Sequence, residues 1–233
     1  MRIAAAIAVL SLGLAAAPRP GAADPVVVEL FTSQGCSACP PADALLRDLG
    51  EDPGVLPLAL HVDYWDYLGW SDIFAFPAAT RRQKSYAEAA GQTMVFTPQM
   101  IVGGQVSVAG FKPGKVLSAI MAARAAPDRV SIAVARANDE QVRLRIEAVA
   151  PFATAAQVVL VRYRDSARVD IRGGENAGRS VTYSNIVTEW SVLEVWDGTT
   201  PLVTEAALAP PLSSAVLVQA AGPGEVLGAV RLD

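Results

Sequence analysis

The chain has 233 residues, 52% hydrophobic and 18% charged, with a formal net charge of −4 and only two cysteines and one histidine. That composition excludes a collagen-like repeat, a low-complexity tail and a charge-dominated disordered chain, and it leaves enough length to bury a substantial core. No basic patch points to nucleic acid.

The first residues, Met1 to Ala17, form an apolar run led by a single cation, Arg2, and are followed by small residues ending at Gly21-Ala22-Ala23. This is the pattern of a secretory signal peptide, with Gly21 and Ala23 at the −3 and −1 positions of cleavage. The run is short of the roughly 20 residues that a membrane anchor needs. Residues 1–23 are therefore set aside, and losing Arg2 and Arg19 takes the formal charge from −4 to −6. The expected product is periplasmic or secreted, with no membrane span after cleavage.

Val26–Phe31 is an apolar, β-branched run between Pro25 and Thr32-Ser-Gln-Gly35, and predicts a buried strand. Next comes Cys36-Ser-Ala-Cys39. In an exported protein a disulfide is permitted, but a bridge across two residues closes too short a loop to restrict the unfolded chain much. A zinc site needs about four ligands, more than this chain supplies at conventional spacing. The pair reads as a dithiol that opens and closes. Pro40 to Leu49 predicts a helix with Leu45, Leu46 and Leu49 as its stripe, its prolines in the first turn and Gly50 at its end. The cysteines then lie by the positive end of a helix dipole, which favours thiolate. Cys36 is expected to be the exposed nucleophile and Cys39 the resolving thiol. Pro40 disfavours helical geometry at Cys39, so a turn just ahead of the helix is expected.

Val55–Val62 predicts a second strand, with Pro57 marking an edge or lead-in. The segment His61 to Phe76 then holds six of the chain's 15 aromatics: Tyr64, Trp65, Tyr67, Trp70, Phe74 and Phe76. Rigid aromatics with polar tips suit a substrate groove, with Tyr64 and Trp65 as contact residues; a local core that packs the insert down is the other reading. His61 is either a thiolate-tuning or metal-binding group or a hydrogen-bonded residue at a strand end. A helix over about 77–90 carries Arg81-Arg82-Gln-Lys84 on what is expected to be a solvated face. Met94 to Val102 is apolar but interrupted by Pro98, Gly103-Gly104 signals a hairpin into Gln105–Ala109, and Lys115–Arg124 predicts a helix.

From Val130 the pattern turns to alternating strands: Val130–Ala137, Val142–Val149, Val158–Arg164, Val181–Asn185 joined to later apolar runs, Ser191–Trp196, Ala215–Ala220 and Val226–Leu232. Arg172-Gly-Gly-Glu-Asn-Ala-Gly-Arg179 reads as a hairpin connection, or less readily as an anion cradle.

The order β-α-β-insert-α-β-β-α over about 24–125, with Cys36-Ser-Ala-Cys39 after the first strand and Thr97-Pro98 before a hairpin, resembles the thioredoxin fold. That resemblance implies a cis Pro98 facing the disulfide and backbone hydrogen bonds from Thr97 to a bound peptide. It also implies a buried acid that moves the resolving thiol's proton, for which Glu29 is the candidate; a Glu29 paired with an arginine is the alternative. Gly35 stands where thioredoxins commonly carry tryptophan, so no redox potential is carried over. More specifically, Glu29 to Asp43, His61-Val-Asp-Tyr-Trp-Asp66, Thr97-Pro98-Gln99 and Gly174 to Arg179 resemble a bacterial family of secreted thioredoxin-like proteins of unknown function.

The expected architecture is an α/β thioredoxin-like domain over 24–125, with the aromatic insert at about 62–76, followed by an all-β, sandwich-like domain over 126–233. The expected activity is thiol–disulfide exchange with a protein or small-molecule disulfide or dithiol, through Cys36, Cys39 and Glu29, with Thr97, Pro98, Tyr64 and Trp65 holding substrate. It calls for no cofactor and no metal. A non-catalytic envelope protein with an inert bridge, and a copper-binding protein using both sulfurs, are the alternatives. The oligomeric state is not fixed by the sequence.

Overall fold

The computed structural model describes residues 24–152 and 154–232, so the signal-peptide expectation for residues 1–23 lies outside the described residues. The elements are β1 (Val26–Thr32), α1 (Pro40–Leu49), β2 (Val55–His61), α2 (Pro77–Ala89), β3 (Gln99–Val102), β4 (Val106–Ala109), α3 (Pro113–Arg124), β5 (Val130–Arg136), β6 (Gln141–Ala148), β7 (Ala156–Asp170), β8 (Ser180–Trp196), β9 (Leu202–Ala207), β10 (Ser213–Ala220) and β11 (Val226–Arg231). They build a mixed α/β fold with one eight-stranded sheet, in the order β11-β10-β7-β8-β2-β1-β3-β4, and a second sheet, β5-β6-β9.

β1 lies inside the large sheet, parallel to β2 and antiparallel to β3, and all seven of its residues are buried. Its two faces feed two cores, as a period of two requires. Val26, Val28 and Leu30 pack with Leu46 of α1 and Val116 and Ile120 of α3. Val27 and Phe31 pack with Tyr86 of α2 and with Val159, Val161 and Leu217 from β7 and β10. The large sheet therefore draws strands from both halves of the chain.

The second sheet shows the cleanest alternation. Val142, Leu144 and Ile146 are buried while Gln141, Arg143 and Arg145 are exposed, and the apolar row packs on Val158, Leu160, Val216 and Val218 of the large sheet.

Pro57 sits in a strand with neighbours on both sides, not at an edge. Its carbonyl accepts from Asn185 Nδ2 at 2.8 Å, and the β2–β8 pairing is the single pair Ala59–Ile186. A residue's N–H and C=O point to the same side of a strand, so the missing donor of Pro57 faces a stretch where no ladder bond is needed.

β7 and β8 form one long hairpin, 15 and 17 residues, where shorter strands were expected. Register shifts at Val158/Val159 and Arg162/Tyr163 break the alternation that would have revealed its length. Its outer half lies against α1, bringing Arg179 to Thr182 beside Pro40, Asp43, Ala44 and Arg47.

Candidate functional site

The turn from Ser33 to Cys39 is built from its own backbone. Cys36 N–H donates to Ser33 O at 3.1 Å, and Cys39 N–H to Cys36 O at 3.1 Å. Cys39 is the N-cap of α1, and Pro40 and Pro41 occupy positions whose N–H groups would have no helical partner. The turn precedes the helix, as expected, yet Cys39 itself has helical dihedrals (φ −78°, ψ −36°) in spite of Pro40. Its carbonyl holds that geometry by accepting from Ala42 N–H and Asp43 N–H at 2.8 and 3.0 Å.

Cys36 and Cys39 are joined in a disulfide, with Cα atoms 5.4 Å apart. Cys36 is 2% exposed and Cys39 1%, whereas Ser37 and Ala38 between them are exposed. The expectation of an exposed Cys36 thus fails, because other segments cover it. On one side a Cβ at Gly35 would meet Trp65 Cβ at 3.1 Å, so a side chain there would push Trp65 back by a few tenths of an ångström. On the other, Asn176 Nδ2 donates to Gln34 O and Cys36 O at 2.9 and 2.8 Å, and Ser37 N–H donates to Glu175 Oε2 at 3.4 Å.

A buried polar cluster lies behind the turn. Asp43 follows Cys39 by four residues and so shares its side of α1. Thr32 Oγ1 donates to Asp43 Oδ1 at 2.8 Å. Thr32 is paired with His61 across β1 and β2, which turns their side chains to one face of the sheet. His61 Nδ1 lies 2.7 Å from Asp72 Oδ2, and that same oxygen accepts from Gln34 N–H at 2.8 Å. Both side chains are wholly buried, and Tyr183 and Phe74 present T-shaped contacts to the imidazole at 4.8 and 5.4 Å. Burial pushes the Asp43 carboxyl up to about 7, His61 and the Thr32 hydroxyl pull it back, and Asp72 adds to the rise. Burial likewise holds the Tyr183 phenol well above its ordinary range, with Asp43 and Asp72 adding to it. Asp43 Oδ2, His61 Nε2, Gln34 Nε2 and Asn176 Oδ1, all in or beside this cluster, are buried atoms without a hydrogen-bond partner. A carboxyl that titrates near neutrality one helical turn from Cys39 is chemically suited to take up and return a thiol proton.

The aromatic insert fastens these parts together. Trp65 Nε1 donates to Thr97 Oγ1 at 2.7 Å, and the Thr97–Pro98 peptide is cis. Extending the β1–β3 register by one residue beyond Phe31–Gln99 places Pro98 opposite Thr32, at the end of β1 that leads into the cysteine turn. Tyr64 OH donates to Gln83 Oε1 at 3.1 Å, and burial pushes its phenol up to about 12. Trp70 Nε1 donates to Gln34 Oε1 at 2.7 Å. Tyr64, Trp65 and Phe76 pack on the main core, and Trp70 and Phe74 on a smaller one, so the insert is in large part a packing element; Tyr67 is 78% exposed.

Of the residues expected at the site, Trp65 links the turn that carries Cys36 and Cys39 to Thr97, the residue before Pro98, with Tyr64 alongside. Glu29 is not among them. Alternation along β1 puts it on the opposite face from Thr32. There its carboxylate accepts from Arg82 Nε and Nη2 at 2.5 and 2.8 Å and from Tyr86 OH at 2.6 Å. The paired alternative is the one found, and Arg82, expected on a solvated face, is instead stacked on the Trp190 ring at 3.7 Å. Asp43, Asp72 and Asn176 were not anticipated at the site. Asp43 comes beside Cys39 through one turn of α1, whereas Asn176 stands in what read as a connection, and only long-range packing brings it to the cysteine turn.

Among the described residues no group of three or more His, Cys, Asp and Glu is disposed to hold a metal, and no helix is long and apolar enough to cross a membrane.

The chain belongs to the family described as "Protein of unknown function (DUF1223)", whose profile matches residues 27–219. It is similar to the crystal structure of a protein from Agrobacterium tumefaciens, with 32% identity and a TM-score of 0.77 over 91% of this chain and 95% of that one. It shares its fold with HBP35 of Porphyromonas gingivalis, at 12% identity and a TM-score of 0.65 over 91% of this chain and 76% of that one. No curated protein matches the chain.

Proposed function

We propose that this chain is an exported, thioredoxin-like thiol–disulfide oxidoreductase, working in the periplasm or outside the cell. The observation that carries the reading is the Cys36–Cys39 disulfide at the start of α1, in a turn that Trp65 ties to Thr97. In the reduced form, the partial positive charge at the start of α1 favours the Cys36 thiolate. That thiolate attacks a partner disulfide, forms a mixed disulfide and expels one partner thiolate. Cys39 then gives its proton to Asp43 and attacks the Cys36 sulfur, releasing the second partner thiolate as the internal disulfide closes. Two electrons pass to the partner; run backwards, the same steps oxidise a dithiol. Asp43 takes the role that the thioredoxin resemblance implied for Glu29, because it follows Cys39 by one helical turn and is not committed to an arginine.

Turnover of a disulfide-bonded polypeptide tests this directly. Cys36→Ser is expected to abolish turnover, and Cys39→Ser to accumulate a mixed disulfide at Cys36. Undiminished turnover in Cys36→Ser overturns the mechanism. Burial of both sulfurs favours one other reading, a fixed bridge in a binding or structural protein of the envelope, which requires that no polypeptide disulfide turn over at all.

A further inference from the structure

The cover over the cysteines comes from more than 130 residues away in the chain. The tip of the β7–β8 hairpin, residues 172–179, is held in shape by Gly178 N–H donating to Ile171 O at 2.8 Å and Arg179 N–H to Asn176 O at 3.1 Å. From it Asn176, 1% exposed, sends both hydrogen bonds of its amide into the cysteine turn, on the carbonyls of Gln34 and Cys36. Glu175 takes the N–H of Ser37. The tip is also seated on the insert. A Cβ on Gly173 would come within 2.6 Å of Gly69 O, and one on Gly174 within 3.2 Å of Trp70 Cβ, while Trp70 itself donates to Gln34. Hairpin, insert and turn thus form one closed packing unit around two sulfurs that have almost no contact with solvent.

Exchange requires a third sulfur in line with the S–S bond, which the closed unit does not admit. We infer that the β7–β8 hairpin tip is a latch over the Cys36–Cys39 turn, with Asn176 as its positioning residue, and that the pair exchanges with partners able to displace it. When the latch lifts, the carbonyls of Gln34 and Cys36 lose the Asn176 donor, and Cys36 O keeps only Cys39 N–H. An extended polypeptide carries backbone N–H groups, spaced along the chain, that can replace it, and dithiothreitol has no N–H group. The latch therefore biases the site towards polypeptide disulfides and dithiols. The substrate preference rests on the oxidoreductase reading, whereas the latch itself is a statement about access.

The test uses residues 24–233, the Asn176→Ala variant and a second variant, Gly173→Ala, which keeps the Asn176 side chain but drives the tip, and Asn176 with it, off Gly69 and the cysteine turn. Each is reduced with dithiothreitol, which passes two electrons to the disulfide and ends as its own cyclic disulfide, and the appearance of free Cys36 is followed by alkylation. Each is also offered a reduced, unfolded polypeptide, and thermal melts establish that the variants are folded. Both variants are expected to speed dithiothreitol reduction tenfold or more, as loss of two hydrogen bonds implies, and to gain less with the polypeptide. Folded variants that react no faster than the parent chain overturn the latch. Acceleration with dithiothreitol, but no exchange with polypeptide in any of the three proteins, leaves the latch standing and removes the oxidoreductase reading. Equal acceleration with both reductants keeps the cover and overturns the preference for polypeptide.

Discussion

Asp43 and Glu29 are both buried carboxylates, and they differ in what faces them. Glu29 has two nitrogens of Arg82 and the Tyr86 hydroxyl, so its charge is fully answered. Asp43 has one hydroxyl and an unpartnered oxygen. Two opposite predictions follow from that contrast. Replacing Arg82 by leucine strands a buried charge and is expected to cost about 3–5 kcal/mol, measured as a loss of unfolding free energy in urea. Asp43→Asn keeps an oxygen for Thr32 and removes the titration. The Asp43 carboxyl rises from 3.8 to about 7 on folding. The native state then holds a proton that the unfolded state has lost, so stability falls as pH rises through this window, and the full penalty is present above about 7. Asp43→Asn is expected to be more stable than the parent chain at pH 8, by on the order of a few kcal/mol, and to lose that advantage by pH 4. The same substitution is expected to slow resolution of the mixed disulfide by roughly a hundredfold near pH 7, read in a stopped-flow chase. A normal resolution rate with the stability change intact would make Asp43 structural only.

At the scale of elements, what could be read from the sequence was what local chemistry decides. The β1–turn–α1 unit was legible because a β-branched run, two cysteines, two prolines and a leucine stripe each specify their own segment. The β3–β4 hairpin was legible from Gly103-Gly104, both of which adopt positive φ. Pro57 misled because its missing donor was read without knowing that β8 pairs with β2 only at Ala59 and that Asn185 would cap Pro57's own carbonyl. The arginine-rich stretch of α2 misled because one of its cations, Arg82, is stacked between a strand acid and Trp190, a partner 108 positions away. The cysteine turn was found from two residues, but its cover was not, since nothing in Gly174-Glu-Asn-Ala-Gly-Arg179 says which surface it will meet.

For the whole molecule, the large sheet is the unit that matters. Val27, Phe31, Leu58 and Ile101 share one core with Val159, Val161, Ala215 and Leu217, so neither half closes that core alone. A fragment covering residues 24–125 would expose the free edge of β2 and the apolar face beneath it. It is expected to bind a hydrophobic dye and to lack a cooperative melt, whereas residues 24–233 together should show a single transition. A fragment that melts cooperatively by itself would show that the two halves are independent folding units. The same continuity explains how the hairpin from the second half comes to sit on the cysteines of the first.

In the proposed mechanism the Cys36–Cys39 disulfide opens and closes in use. A redox titration of the mature chain, with both cysteines scored by thiol-trapping mass spectrometry, tests it most directly. A midpoint between about −120 and −270 mV, with exchange against a polypeptide dithiol in seconds to minutes, is the predicted result. A bridge that persists below about −300 mV and does not exchange would contradict it and make the disulfide a fixed part of the fold.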